Sequence, residues 1–284
     1  MSVFEIRYED VDPDSPQAGQ AGVVPWDSET FGFNVANYRL TDGEGLQISG
    51  RQLESKIASW ASANRVEMIA TSSPADQPVL IHLLQCSGFV YNDTTISIRY
   101  GRLNCLKLPS SRIEMQPADP EDEKAVRAIA EQMFKHGRYH ADARFPRHLA
   151  DRRYGDWISR AMGPDSRQQV ILVKRPDGEV RGFSVIEIRE KQGYFHLLAS
   201  AASEQGSTFG VGLAASTLRY FRDHGVEAVN SKISAHHLRI VNLHAYLGCR
   251  FMETDIEMHW HSPDAPHLVA PSPLSCSNQS NPGP

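Results

Sequence analysis

The chain has 284 residues, 40% of them hydrophobic and 22% charged, with a formal net charge of -5. That length allows one large or two modest domains, each able to bury its own core. The charge balance is ordinary for a globular protein and offers no basic field for nucleic acid. No stretch approaches the ~20 consecutive apolar residues of a membrane-spanning helix. The start, Met1-Ser2-Val3-Phe4-Glu5, lacks the basic and apolar runs of a secretory signal. A cytoplasmic protein with no membrane partner is the expectation. Cys86, Cys105, Cys249 and Cys276 are scattered and include no CxxC pair. They read as reduced thiols rather than zinc ligands or a disulfide framework.

Along the chain, Asp10 to Gly22 has too little apolar content for a core element and reads as a loop. Gly50 to Asn64 carries Leu53, Ile57 and Trp60 at helical spacing, and Val66 to Thr71 is a short apolar strand. Val79 to Gln85 is helical and stops before Ser87-Gly88, and Thr94 to Tyr100 is β-like. Leu108-Pro109-Ser110-Ser111-Arg112 reads as a connection between two units. The second unit opens with Asp119-Pro120-Glu121-Asp122-Glu123, an acidic helix start followed by Val126, Ile129, Ala130 and Met133 on one face. A His- and Arg-rich segment, His136 to Arg147, leads to a helix over Leu149 to Met162. Strands Gln169 to Lys174 and Arg181 to Ile188 flank the turn Arg175-Pro176-Asp177-Gly178, and Gly193 to Ser200 is a third strand. Then come a glycine-containing loop, a helix over Val211 to His224, a strand over Ala228 to Ser234, a helix over His237 to Leu247 and a strand over Glu253 to Trp260. From Ser262 the composition turns to Pro and Ser and predicts a disordered tail.

The sharpest local feature is Ser207-Thr208-Phe209-Gly210-Val211-Gly212-Leu213-Ala214, between a strand and a helix. Glycines there let backbone amides approach a phosphate, and the helix N-terminus adds its positive end. A lone GxG is equally a simple turn. A dinucleotide-binding GxGxxG fits less well, because Ala215 takes the third glycine's place and the motif comes late in the chain.

With that strand–GxG–helix arrangement, and with Leu243-His244-Ala245-Tyr246-Leu247-Gly248-Cys249-Arg250-Phe251 on a late helix, the chain resembles the GNAT N-acyltransferases. Ser207 stands where that family usually has Gln or Arg, and His244 where it has Tyr. Three further stretches, Trp26-Asp27-Ser28-Glu29-Thr30-Phe31-Gly32-Phe33, Gly137-Arg138-Tyr139-His140-Ala141-Asp142 and Tyr154-Gly155-Asp156-Trp157-Ile158, resemble the sugar-nucleotide amine acetyltransferases within it. The resemblance covers roughly Pro25 to Trp260. It implies a mixed α/β (α+β) fold with a mostly antiparallel sheet flanked by helices. A partial unit of related design would span 1–108, the catalytic unit 112–261 and the tail 262–284. It also implies acetyl-CoA as co-substrate, no metal, a small-molecule acceptor and compatibility with a homodimer.

On this reading, backbone amides near Leu198 and Ala199 hold the thioester and its oxyanion. Thr208, Phe209, Gly210, Val211, Gly212 and Leu213 cradle the pyrophosphate. His244 is the leading proton donor to the leaving thiolate, since an unperturbed imidazole titrates near 6.5. Tyr246 is its rival; two residues apart on a helix they lie ~200° apart and do not both face the thiol. Asp93, then Asp27, are the candidate bases, although loop carboxylates are commonly solvated turn residues. Trp26, Asp27, Arg138, His140 and Asp142 are the candidate acceptor-binding side chains, Arg138 through a bidentate fork. Tyr154 and Trp157 read equally as core or as a stacking face. His236, His237 and His244 lack metal-site spacing and read as polar surface. Two other functions remain open from the sequence: acetylation of another small amine or amino acid, and a non-catalytic acyl-CoA-binding module.

Overall fold

In the computed structural model, which describes residues 6–40, 47–111, 113–205 and 208–269, capping residues and glycines set the element ends. The Ser49 hydroxyl accepts the Gln52 amide while the Gln52 side chain accepts the Ser49 amide, so the helix Gly50–Ala63 starts with both donors satisfied. Its Leu53, Ile57, Trp60 and Ala61 form the buried face. Two later helices each turn into the next strand at a left-handed glycine, Gly88 (φ 85°) and Gly248 (φ 83°), a backbone that L side chains adopt only under strain.

The helices are α1 (Pro25–Phe31), α2 (Gly50–Ala63), α3 (Pro78–Cys86), α4 (Glu123–Met133), α5 (Arg138–Ala141), α6 (Arg147–Met162), α7 (Phe209–Asp223) and α8 (Leu238–Tyr246). The strands are β1 (Glu9–Asp10), β2 (Gln20–Val23), β3 (Asn34–Arg39), β4 (Val66–Pro74), β5 (Val90–Tyr100), β6 (Gln116–Pro117), β7 (Gln168–Lys174), β8 (Val180–Arg189), β9 (Gln192–Ser200), β10 (Ala228–Ser234) and β11 (Arg250–His261). Among the described residues they form one 11-stranded sheet in the order β1-β2-β3-β4-β11-β5-β10-β9-β8-β7-β6. It is antiparallel except for β3 with β4 and β9 with β10.

Successive side chains on a strand face opposite sides, and both sides here are covered. Met68 packs into the cluster of Phe31, Phe33, Tyr139 and Phe145, whereas Ile69 packs with Leu53 and Ile57 of α2. Leu172 meets Val126 and Ile158 of α4 and α6, whereas Ile171 meets Leu218 and Phe221 of α7. Each fully buried side chain of this size stabilises by about 1.5–3 kcal/mol. No helix among the described residues is long and apolar enough to cross a membrane.

The order of the sheet differs from two blocks laid side by side. β5, from the first block, pairs with β10 of the second, and β11, from the second, pairs with β4 of the first. The crossings are made alike: Ala75 N–H donates to Thr254 O (2.8 Å) and Ala235 N–H to Thr94 O (2.7 Å). The blocks exchange their last strands, so the connection near Leu108 divides the sequence without dividing the sheet.

Two segments depart from the sequence expectation. Asp10 to Gly22 carries the end of β1, a 3-10 turn and most of β2 instead of a plain loop; β1 is a two-residue edge strand and β2 a short strand inside it, so few apolar residues are needed. Residues 262–269 of the expected tail pack against residues of both blocks. The Val269 amide donates to Arg144 O (2.8 Å), His267 pairs with Glu67 (2.6 Å), and Leu268 is buried near Phe33 and Phe145. Ala265 and Leu268 supply the apolar contacts that the segment's polar composition hides. The rest of that tail, 270–284, lies outside the described residues, as do Arg112 and Ser207.

Candidate active site

The site begins with a ladder that stops. β9 and β10 pair over Gln192–Tyr194 and Ala228–Asn230 and then diverge, with the Ser231 hydroxyl donating to Phe195 O (2.6 Å) at the vertex. Opposite β8 the register slips between Phe195 and Leu197, leaving His196 as an extra residue, a bulge that bends β9 away. In the first block β3 and β4 stay paired through Tyr38 and Thr71. Beyond the vertex the edge of β9 facing β10 has no strand partner among the described residues. Since N–H groups alternate sides along a strand, one of the consecutive residues Leu198 and Ala199 turns its N–H into the gap.

A cavity of about 330 Å³ occupies this gap. Phe134, just after α4, and Tyr154 of α6 line it from one face of the sheet, Ile240 and His244 of α8 from the other. Gly210 of α7, Leu198 and Ala199 also line it. Thr208 gives the α7 N-terminus no side-chain cap, and Gly210 of its first turn lines the cavity. The two glycines differ in role. A Cβ at Gly210 would meet nothing within 4 Å, which leaves its backbone open to a ligand. A Cβ at Gly212 would press on Ile113 Cδ1 at 2.9 Å, so that glycine serves packing. Phe209 and Leu213 are core residues, Phe209 lying under the Arg181 guanidinium (4.4 Å). Of the six residues expected to cradle the pyrophosphate, Gly210 is open, whereas Phe209, Gly212 and Leu213 are packed.

On α8 the two rivals separate as helix geometry requires. Tyr246 is 69% exposed, whereas His244 is 3% exposed and lines the cavity. Its Nδ1 lies 2.7 Å from the Tyr100 hydroxyl. Tyr100 is fully buried with no other hydrogen-bond partner among the described residues, so its proton goes to Nδ1 and the imidazole proton resides on Nε2. Burial pushes the His244 pKa down to about 4. This corrects the expectation of a free-histidine pKa: at neutral pH the ring is uncharged, and it acts as an N–H donor rather than as an imidazolium.

Asp93, on β5, is buried, and its Oδ1 accepts from the Ser234 hydroxyl (2.8 Å) and the Thr94 amide (2.8 Å). Ser234 lines the cavity, so the carboxylate stands one hydrogen bond behind its wall. Burial raises the Asp93 pKa against those two bonds. Glu257 is its cross-strand partner on β11. It accepts from Arg138 (3.1 Å), Thr95 (3.0 Å), Ser72 (3.2 Å) and Lys232 (3.4 Å). Although burial alone would raise Glu257, Arg138 and Lys232 outweigh it and hold the carboxyl below its usual range. Facing carboxylates thus have environments that push their pKa values apart, the pattern of an acid–base pair.

The expected acceptor-binding residues are mostly engaged inside the protein. Asp27 is buried, accepting from the Tyr139 hydroxyl (2.9 Å) and Arg153 (2.8 Å), which ties α1 to α5 and α6. His140 pairs with Asp151 (2.9 Å). Asp142 binds His259 and His261 (2.7 Å each), bonds that outweigh burial and hold its carboxyl well below the usual range. Trp26 packs beside Phe31 and Phe33. Arg138 alone reaches the carboxylate pair. Tyr100, Ser234 and Glu257 carry no motif in the sequence; they come from three strands, and strand exchange brings β5 and β11 beside β10.

No family model matches the sequence. Among solved structures, the GCN5-related N-acetyltransferase of Sphaerobacter thermophilus matches with a TM-score of 0.61 at 12% identity, over 86% of this chain and 76% of that one. The GCN5-related N-acetyltransferase of Kribbella flavida matches at 0.56 and 14% identity over 93% of each chain. The chain has the GNAT fold. A tandem GNAT protein from the clavulanic acid biosynthesis pathway also matches, at 0.56 and 13% identity, over 89% of this chain and 80% of that one. In sequence, the spore coat polysaccharide biosynthesis protein SpsD of Bacillus subtilis is 21% identical over 230 residues, 78% of this chain and 76% of that protein. On the GNAT fold, the β9/β10 gap and the α7 start are the parts the sequence resemblance assigns to the acyl-CoA.

Proposed function

We propose that the chain is an acetyl-CoA-dependent N-acetyltransferase whose acceptor is the amine of a nucleotide-linked amino-deoxysugar. What supports this reading is the coincidence, around one cavity, of a splayed strand pair, a helix start whose Gly210 backbone is open, and a buried histidine. The acyl-CoA pyrophosphate rests on the first turn of α7 at Gly210, and the thioester lies in the gap beside Leu198 and Ala199. The amine attacks the thioester carbon, and the new oxyanion is held by the inward β9 amide. Asp93 takes the proton lost from nitrogen, directly or through Ser234 or water, while ionised Glu257 with Arg138 orients the amine. Collapse breaks the C–S bond; His244 Nε2–H hydrogen-bonds the departing thiolate, which takes its proton from solvent. No step calls for a metal.

Acetyl transfer rests on the fold and the cavity. The sugar-nucleotide acceptor rests on the Trp26, Arg138 and Tyr154 motifs, together with the likeness to a protein named for polysaccharide biosynthesis. The test is mass spectrometry of acceptors incubated with acetyl-CoA and the protein. Gain of one acetyl group by a TDP- or UDP-linked amino sugar supports the reading. Acetylation confined to free amino acids or polyamines keeps the transferase and removes the sugar.

A further inference from the structure

A second groove, about 480 Å³, crosses the sheet beside the cavity. The two share Phe195, His196, Ser231 and Lys232, so the groove opens onto the vertex of the β9/β10 gap. Trp157, His196 and Tyr194 stand in a row along one side, with ring separations of 6.2 and 6.3 Å. Its floor, toward β5, holds Arg99, whose Nη1 donates to Asn230 Oδ1 (2.9 Å).

Arg99 is flanked on both sides. It is the cross-strand partner of Asn230 on β10 and of Arg250 on β11, so the three side chains share one face of the sheet. Two arginines directly opposite each other repel and cost stability unless an anion lies between them. Most other charged groups of this face are matched: Lys232 by Asp255 (2.9 Å), Arg189 by Glu187 (2.5 Å), Arg153 by Asp27. Glu253 lines the groove rim, but among the described residues no carboxylate lies within ion-pair distance of either Arg99 or Arg250.

We propose that Arg99, Arg250 and Asn230 form a phosphate subsite for the acceptor. A diphosphate bridges the two guanidiniums through charge-assisted forks, and the rest of the acceptor runs past His196 and Lys232 toward the gap. This rests on the acetyltransferase reading and narrows the acceptor to a phosphate-bearing amine, entering from the side of the sheet opposite α8. Acetyl-CoA meets the cavity at α7, so the two anionic ligands occupy separate cationic ends.

The experiment is calorimetric titration of UDP, TDP and the phosphate-free nucleosides into the full chain saturated with acetyl-CoA, for wild type, Arg99→Gln and Arg250→Gln. The expected result is diphosphate binding that weakens at least tenfold in each variant and as salt rises, with no nucleoside binding and acetyl-CoA affinity preserved. Arg250 is exposed, so its variant reports on binding even where Arg99→Gln folds poorly. Equal diphosphate affinity in wild type and Arg250→Gln overturns the subsite, as does loss of acetyl-CoA binding in step with diphosphate binding. Turnover of a UDP-linked sugar with unchanged KM in both variants removes the subsite and leaves acetyl transfer standing. Arginine-dependent diphosphate binding without turnover of any amine does the reverse.

Discussion

His244 stands between sequence and structure in an instructive way. The motif around Leu243 to Gly248 marks its position, yet its chemistry depends on Tyr100, a strand residue distant in the chain that only the exchanged β5 brings near. A pKa lowered to about 4, against about 6.5 unfolded, means that the folded state resists protonation. Its neutral form is therefore favourable above pH ~6.5, and stability falls as pH drops from ~6.5 through ~4, by about 3 kcal/mol at most. Urea midpoints at pH 7 and pH 4.5 should separate more for the wild type than for His244→Leu. The matching position of the first block is Leu84, equally buried, where α3 also precedes a left-handed glycine. Leucine is therefore a shape that this helix accepts. Pairing it with Tyr100→Phe removes the stranded hydroxyl, which alone costs about 1–3 kcal/mol. The double variant should fold, bind acetyl-CoA and lose at least tenfold in kcat. Asp93 makes the complementary prediction. As a base it works only when ionised, so the rate falls as pH drops through its raised pKa. In Asp93→Asn the rate falls about a hundredfold and that acidic limb disappears from the pH profile; a limb that persists assigns the titration elsewhere.

At the scale of elements, α2, α4, α6, α7 and α8 are legible in the sequence because their apolar residues recur at helical spacing and their ends carry glycine or proline signals. β1, a two-residue polar edge, and β2, only four residues long, are too short to leave a periodic pattern. The His- and Arg-rich stretch misleads for another reason: its side chains look available for ligands, but α5 is only four residues long and is held by Asp27, Asp151, Glu257, His259 and His261. Whether a polar residue faces a ligand or a protein partner depends on tertiary neighbours, which no local pattern encodes. The GxG motif divides likewise. Gly210→Ala should keep or slightly raise thermal stability, since alanine gains up to about 1 kcal/mol in a helix and its Cβ meets open space. The same change should raise KM for acetyl-CoA several-fold by distancing the phosphate from the backbone. Gly212→Leu should lower Tm without first affecting KM, because it collides with Ile113. Reversed outcomes would exchange the roles of the two glycines.

For the whole molecule, strand exchange makes the candidate site a joint product of both blocks. β5 supplies Tyr100 and Asp93, β11 supplies Glu257, and the cavity lies between β9 and β10. Residues 112–284 expressed alone should aggregate or dimerise through the exposed edge of β10, and co-expression with residues 1–111 should restore a soluble complex. A stable, active second block would contradict the shared-sheet account. The relation between the blocks is legible only as similar element order, because their pairing is a long-range property of β5 and β11. The decisive measurement is free-thiol release from acetyl-CoA, with and without nucleotide-linked amino sugars, in the wild type and in His244→Leu/Tyr100→Phe. The account predicts acceptor-dependent thiol release that falls at least tenfold in the double variant while acetyl-CoA still binds. Acetyl-CoA binding with no thiol release on any amine would contradict it and leave the chain a binding module on the GNAT fold.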